Sequence, residues 1–209
     1  MSLVCHFWGG VKMNDSTNPS ALRSKKEICE ALLRLMQQHP YEEITVKQIA
    51  LEAKLVRKTF YRNFDSKDDV LDTIIDTTIT EYKKELIASG NFMFVEVVFG
   101  FCQAHKELLM LCERNGLMYR VLQKFNEAIP EKHKELRSIG SFPIEMFDGL
   151  DPTYLISMNI GGMWNVICQW VRGGMKDDPA QITKDLTRYI INMGEYAKQL
   201  VSADGKKQD

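Results

Sequence analysis

Thr45-Val46-Lys47-Gln48-Ile49-Ala50-Leu51-Glu52-Ala53-Lys54-Leu55-Val56-Arg57-Lys58-Thr59-Phe60-Tyr61-Arg62-Asn63-Phe64-Asp65-Ser66-Lys67 reads as two short helices joined by a tight turn. Thr45 can cap the first helix through its hydroxyl, and Gln48, three residues on, completes a capping box. Ile44 before the cap and Ile49 at the fourth helical position suit a hydrophobic staple. On the second helix Phe60 and Phe64 lie four apart and share a face that must point inward. Arg57, Lys58, Tyr61 and Arg62 then point outward. From Ala53 to Phe64 there are four cations and no acid, the bias a phosphate-facing surface needs. Two helices and a turn with charge on the second are what a helix-turn-helix requires to lay a helix in the DNA major groove.

Working outward, the 209-residue chain suits a small domain joined to a larger one. Its net charge of −1 excludes a generally basic nucleic-acid coat and leaves local charge to do the binding. From Ser20 to Ser66 there are nine Lys and Arg against six Asp and Glu, so the remainder is net acidic. Cys5, Cys29, Cys102, Cys112 and Cys168 are odd in number, widely spaced and free of any Cys-x-x-Cys pair. They read as reduced thiols on apolar helix faces. A metal site would need Cys102, Cys112, His105 and His133 to converge, and no metal or cofactor is expected. There is no Gly-x-x-x-x-Gly-Lys, Gly-x-Ser-x-Gly or His-Glu-x-x-His, so no enzyme signature is present.

Residues 1–19 are expected to form a disordered leader, in which Val4 to Trp8 is too short and lacks the basic start of a secretion signal. Met13, followed by Asn-Asp-Ser-Thr-Asn-Pro-Ser, reads as a second start. No run approaches the roughly 20 apolar residues of a membrane span, so no membrane partner and a cytoplasmic location are expected.

The rest of the chain predicts helices, with no period-two alternation and no Asn-Gly hairpin turn. Ile28, Ala31, Leu32, Leu35 and Met36 mark a first helix ended by His39-Pro40. Ser66 followed by Asp68 and Asp69 starts a long helix that stops at Ser89-Gly90. Between Phe92 and Cys102 one stripe holds Val95, Val98, Phe99 and Cys102 and another Phe94, Val97 and Phe101. A helix apolar on both sides belongs in the middle of a bundle. Shorter helices run from His105 to Glu113 and from Gly116 onward, with Pro130 kinking or breaking the second, and a loop lies between Ser138 and Pro152. Asp151-Pro152 and Asp178-Pro179 start two last helices, and Gly173-Gly174 stops the earlier one. Their stripes are Ile160, Met163, Trp164, Ile167 and Val171, then Ile182, Leu186, Tyr189, Ile190, Met193 and Ala197. Residues 204–209 read as a frayed tail.

The run Ile44 to Ala50, with Ala53, Thr59-Phe60-Tyr61-Arg62, Phe64 and Lys67, resembles the DNA-binding domain of the TetR/AcrR family of bacterial transcriptional regulators. Two residues depart from the pattern: Lys54 where the family usually has Gly, and Val56 where it usually has Ser or Thr. The first costs about 1 kcal/mol in a left-handed turn, and the second forfeits about 1 kcal/mol of capping. The resemblance implies an all-α fold: a helix-turn-helix domain over residues 20–66, then a ligand-binding and dimerisation bundle over 67–203. It also implies a homodimeric repressor on a two-half-site operator of double-stranded DNA, released by a small-molecule effector.

Thr45, Tyr61 and Lys67 are the expected phosphate anchors and Arg57, Lys58 and Thr59 the base-edge contacts, with Lys47 and Arg62 on the same basic face. A largely hydrophobic effector is expected among Phe99, Cys102, Met118, Leu122, Met163 and Trp164, one polar group meeting Gln103 or Asn159. The dimer face is expected to draw on Ile160, Gly161, Trp164, Ile167, Trp170, Tyr189, Ile190 and Met193. Glycines at 161 and 162 cost helix stability, which close approach of another helix would explain.

Overall fold

The computed structural model describes residues 19–89, 94–138 and 152–205. The expected leader, the Ser138–Pro152 loop and the last residues of the tail lie outside these, as do Gly90 to Met93 and the side chain of Phe94.

Proline cannot continue a helix and disfavours helical geometry in the residue before it. Helix α1 (Pro19–Gln38) accordingly ends ahead of His39-Pro40. A single 3-10 turn, Tyr41–Glu43, leads into α2 (Val46–Glu52). The Thr45 hydroxyl accepts the Gln48 amide at 3.3 Å, and the Gln48 Oε1 takes the Thr45 amide at 2.8 Å, so the capping box forms. Ile44 and Ile49 are both buried, as a staple requires.

After α2 the chain turns in a Schellman motif: the Leu55 amide donates to Ala50 O at 2.9 Å and the Lys54 amide to Leu51 O at 3.0 Å. That geometry puts Lys54 at φ 58°, the left-handed conformation glycine adopts without strain. Helix α3 (Arg57–Tyr61) starts at Val56, which makes no side-chain cap bond. It is shorter than the sequence suggests. Regular helix stops at Tyr61, yet the Phe64 amide still donates to Phe60 O at 2.9 Å, which keeps both rings on one inner face. Phe60 and Phe64 are buried, their centroids 6.1 Å apart.

Helix α4 (Lys67–Ala88) is capped by the Ser66 hydroxyl, which accepts the Asp69 amide at 3.1 Å. Its inward face holds Leu71, Ile74, Ile75, Thr78, Tyr82 and Leu86, all buried. α1 packs on α2, α3 and α4, so α4 belongs to the N-terminal unit at one end and to the second domain at the other. Then come α5 (Phe94–Ala104), α6 (Lys106–Arg114), α7 (Met118–Ser138), α8 (Pro152–Arg172) and α9 (Pro179–Gly205). α5 lies between α4, α6 and α9, with Val95, Val97, Val98, Phe99, Phe101 and Cys102 all buried, so both of its apolar stripes are used.

Two sequence expectations change. Pro130 does not break α7, which continues to Ser138 at the loss of one backbone donor. α9 runs to Gly205, past the Ala203 limit expected from the polar tail, because its backbone bonds need no apolar residue to continue. α8 begins at Pro152 and α9 at Pro179, where the Asp178 carboxylate takes the Ala180 amide at 3.0 Å. α8 stops at a second Schellman turn, with Gly174 at φ 80°. Among the described residues every element is helical, none is long and apolar enough to cross a membrane, and no cluster of metal ligands forms.

Candidate nucleic-acid interface

Because Phe60 and Phe64 anchor α3 to the core, the opposite face is turned to solvent. Arg57, Lys58, Tyr61 and Arg62 are all exposed there, Thr59 is half-buried, and no ion pair among the described residues engages the three cations. Tyr61 keeps its ring edge against Phe60, centroids 5.5 Å apart, and leaves its hydroxyl free of the core. Lys47 is exposed on α2. A cluster of unneutralised cations beside a phenol is chemically suited to phosphate oxygens and base edges.

The remaining predicted contacts sit differently. Thr45 is exposed, but its hydroxyl is already committed, accepting the Gln48 amide and donating to Gln48 Oε1 at 2.6 Å. Lys67 donates two ammonium hydrogens inward, to Tyr41 O at 2.8 Å and Glu42 O at 2.9 Å, and lies 4.6 Å from the Tyr41 ring centroid. It ties the turn before α2 to the start of α4, and at most one hydrogen remains for phosphate. Two large apolar side chains are exposed beside the turn, Leu51 and Val56, which the amphipathic reading did not single out.

In the second domain Phe99, Cys102 and Met118 are buried and Leu122, Met163 and Trp164 half-buried. Their aromatic contacts divide in two. Phe99 packs on Trp170 at 5.5 Å, whereas Trp164 packs on Phe125 at 6.2 Å, which continues to Tyr82 at 5.6 Å and Phe101 at 5.3 Å. Gln103 and Asn159 are both exposed, so neither is the interior polar group expected of it. Burial pushes the Cys102 and Cys112 thiols up to about 12, which fits core residues.

Of the residues expected on the dimer face, Ile167 and Trp170 belong to the protomer's own core. Both are buried, and the Trp170 indole donates to Asp177 O at 3.0 Å. Helical spacing alone could not tell which face of α8 the rest of the protomer would cover. Ile160, Gly161 and Trp164 are half-buried, and Tyr189, Ile190 and Met193 exposed.

The sequence reading also missed a polar ladder. Asp68, Asp72 and Asp76 on α4 face Arg120 and Lys124 on α7, with Arg120 Nε 2.7 Å from Asp72, Arg120 Nη1 3.1 Å from Asp68 and Lys124 3.2 Å from Asp76. The signal was available: acids and bases each recur every four residues, which places each set on one helix face.

A basic, solvent-facing second helix held by a capped first helix, on an all-α chain with a larger helical domain, defines a helix-turn-helix DNA-binding regulator. Residues 28–74 match the family model described as bacterial regulatory proteins, tetR family. Over that stretch, which spans α2, α3 and parts of α1 and α4, the chain is similar to that family's DNA-binding unit. It is 24% identical over 188 residues to nucleoid occlusion factor SlmA of Colwellia psychrerythraea, covering 80% of this chain and 92% of that one. Among solved structures it is similar to the fatty acid degradation regulator FadR from Bacillus halodurans, with TM-score 0.57 and 21% identity over 83% of this chain and 95% of that one. It is also similar to the dihydroxyacetone kinase operon activator DhaS, with TM-score 0.51 and 15% identity over 81% and 95%. At such identities the structural likeness speaks for the fold alone.

Proposed function

We propose that the protein is a cytoplasmic, homodimeric repressor that binds a two-half-site operator through α3 and leaves it when a small, largely hydrophobic effector enters the second domain. The observation that carries the DNA contact is the outward face of α3, where Arg57, Lys58 and Arg62 stand exposed and no ion pair among the described residues engages them. In this reading Arg57, Lys58 and Thr59 meet base edges. Tyr61, Arg62, Lys47 and the spare hydrogen of Lys67 meet phosphates. Thr45 joins them only by exchanging its Gln48 partner for a phosphate oxygen.

The dimer reading draws on α8 and α9. Tyr154 and Met158 are 79% and 66% exposed, and Tyr189, Ile190, Ile191, Met193 and Tyr196 are each at least half exposed. So much apolar surface on the two long terminal helices favours burial against a second copy. Among the described residues a Cβ built at Gly161 or Gly162 meets nothing within 4 Å, so their packing does not account for either glycine. Close approach of a partner helix does.

The effector reading draws on the aromatic run Phe101, Tyr82, Phe125 and Trp164, which links α5, α4, α7 and α8. A hydrophobic molecule parting these rings would move α4, on whose N-terminal end the helix-turn-helix unit rests. DhaS is named as an activator, so the test reads the direction of control as well as binding. Duplexes selected from a random pool are placed upstream of and across a promoter, and transcript yield is measured with and without a panel of hydrophobic compounds. Repression relieved by a compound supports the proposal. Activation, or indifference to every compound, refutes the repressor or the effector part respectively.

A further inference from the structure

Tyr41 occupies the short turn that delivers the chain into α2, and each of its polar groups is held from outside that turn. Its hydroxyl donates to Asp68 Oδ1 at 2.6 Å, and its amide donates to Asn115 Oδ1 at 2.7 Å. Its carbonyl accepts Lys67 Nζ at 2.8 Å. Asn115 closes the C-terminal end of α6, far along the chain in the second domain, and is itself fixed by donating Nδ2 to Leu111 O at 2.9 Å. Asp68 in turn shares the Arg120 guanidinium with Asp72, one helical turn along α4. Arg120 adds a contact of Nη2 to Asp68 O at 3.4 Å. A planar fork clamped between carboxylates one turn apart is a directional contact, unlike a single flexible ion pair.

We propose that Arg120 and Asn115 are positioning residues for DNA recognition: through Asp68 and Tyr41 they set the angle of the helix-turn-helix unit against the second domain, and so the half-site spacing the dimer accepts. The proposal rests on the two-half-site reading above. Its magnitude is set by leverage. α4 has 22 residues, about 33 Å at ~1.5 Å per residue, so a tilt of about 5° about its C-terminal end moves the end that carries the helix-turn-helix unit by ~3 Å. That displacement matches the rise of one base-pair step, ~3.4 Å. A loosened clasp would let each α3 wander by about one base pair. The ladder is partly exposed, Arg120 to 32%, so its role lies in orientation more than in stability.

The test uses the full chain and a duplex selected from a random pool, remade with its spacer shortened or lengthened by one and two base pairs. Wild type should lose at least about tenfold in affinity per base pair of misfit, comparable to a base mismatch. Arg120→Gln should bind the best spacing nearly as well and lose only about two- to threefold per base pair. Tyr41→Phe, which removes the hydroxyl alone, should flatten the profile in the same direction and serves if Arg120→Gln folds poorly by circular dichroism. Equal loss at every spacing, or an unchanged profile in both single variants, would overturn the proposal while leaving the dimer reading intact. A wild type with no spacing preference would bring down both.

Discussion

Lys54 and Val56 show how a single position can be read for cost. Lys54 is left-handed at φ 58°, and Val56 starts α3 without a side-chain bond. Lys54→Gly should raise the unfolding free energy by about 0.5–1 kcal/mol, and Val56→Ser by about 1 kcal/mol, read from urea midpoints. A drop for Lys54→Gly would show that the lysine side chain contributes more than its backbone strain costs. Cys102 and Cys112 make a second prediction. The folded chain holds their protons up to about pH 12, against 9.0 ordinarily. The unfolded chain binds fewer protons between those values, so this contribution is intact below pH 9.0 and fades as pH rises towards 12. In a Cys5→Ser variant at pH 7.5, a disulfide reagent should label these thiols only as fast as the protein opens. Immediate labelling would place them at the surface.

At the scale of elements, α3 separates contacts by kind. Lys58→Ala should cost roughly 1–3 kcal/mol on a selected duplex and relax preference at one position per half-site. Arg62→Ala should weaken all sequences alike and reduce the salt slope by about one unit, whereas Tyr61→Phe should leave that slope unchanged. Sequence-independent loss for Lys58→Ala would make it a backbone contact. Lys67→Ala should lower thermal stability as well as affinity, because its ammonium joins Tyr41 and Glu42 to α4. The helix-turn-helix was legible because its signals are local: Thr45 with Gln48, Phe60 with Phe64, Ser66 with Asp69. Lys67 was not, since the carbonyls it reaches are set by how the 3-10 turn folds back on α4. Ile167 shares a stripe with Trp164 and Trp170 lies on the same helix, and only tertiary packing decided that Ile167 and Trp170 are core. The Asp68, Asp72 and Arg120 ladder was visible as spacing, but which helices would face each other was not.

For the whole molecule, the proposed function has α4 join a DNA-reading end to an effector-reading end and a dimer set the operator. Gly161→Leu tests the dimer cleanly. Its Cβ meets none of the described residues within 4 Å, and the change gains up to about 1 kcal/mol of helix propensity, so the fold should survive. Tyr189→Asp should act in the same direction, since an unpaired charge inside an interface costs about 3 kcal/mol or more, over ~100-fold in dimer affinity. Sedimentation at micromolar concentration should show a wild-type dimer and variant monomers; a monomeric wild type would end the dimer reading. Selection of the purified protein against a random duplex pool tests whether the exposed face of α3 reads DNA sequence. It should enrich an inverted repeat with half-site centres about 10–10.5 base pairs apart, or a multiple, and Lys58→Ala should lose the preference at one position per half-site. A pool that stays random through every round, with Lys58→Ala indistinguishable from wild type, would contradict that reading.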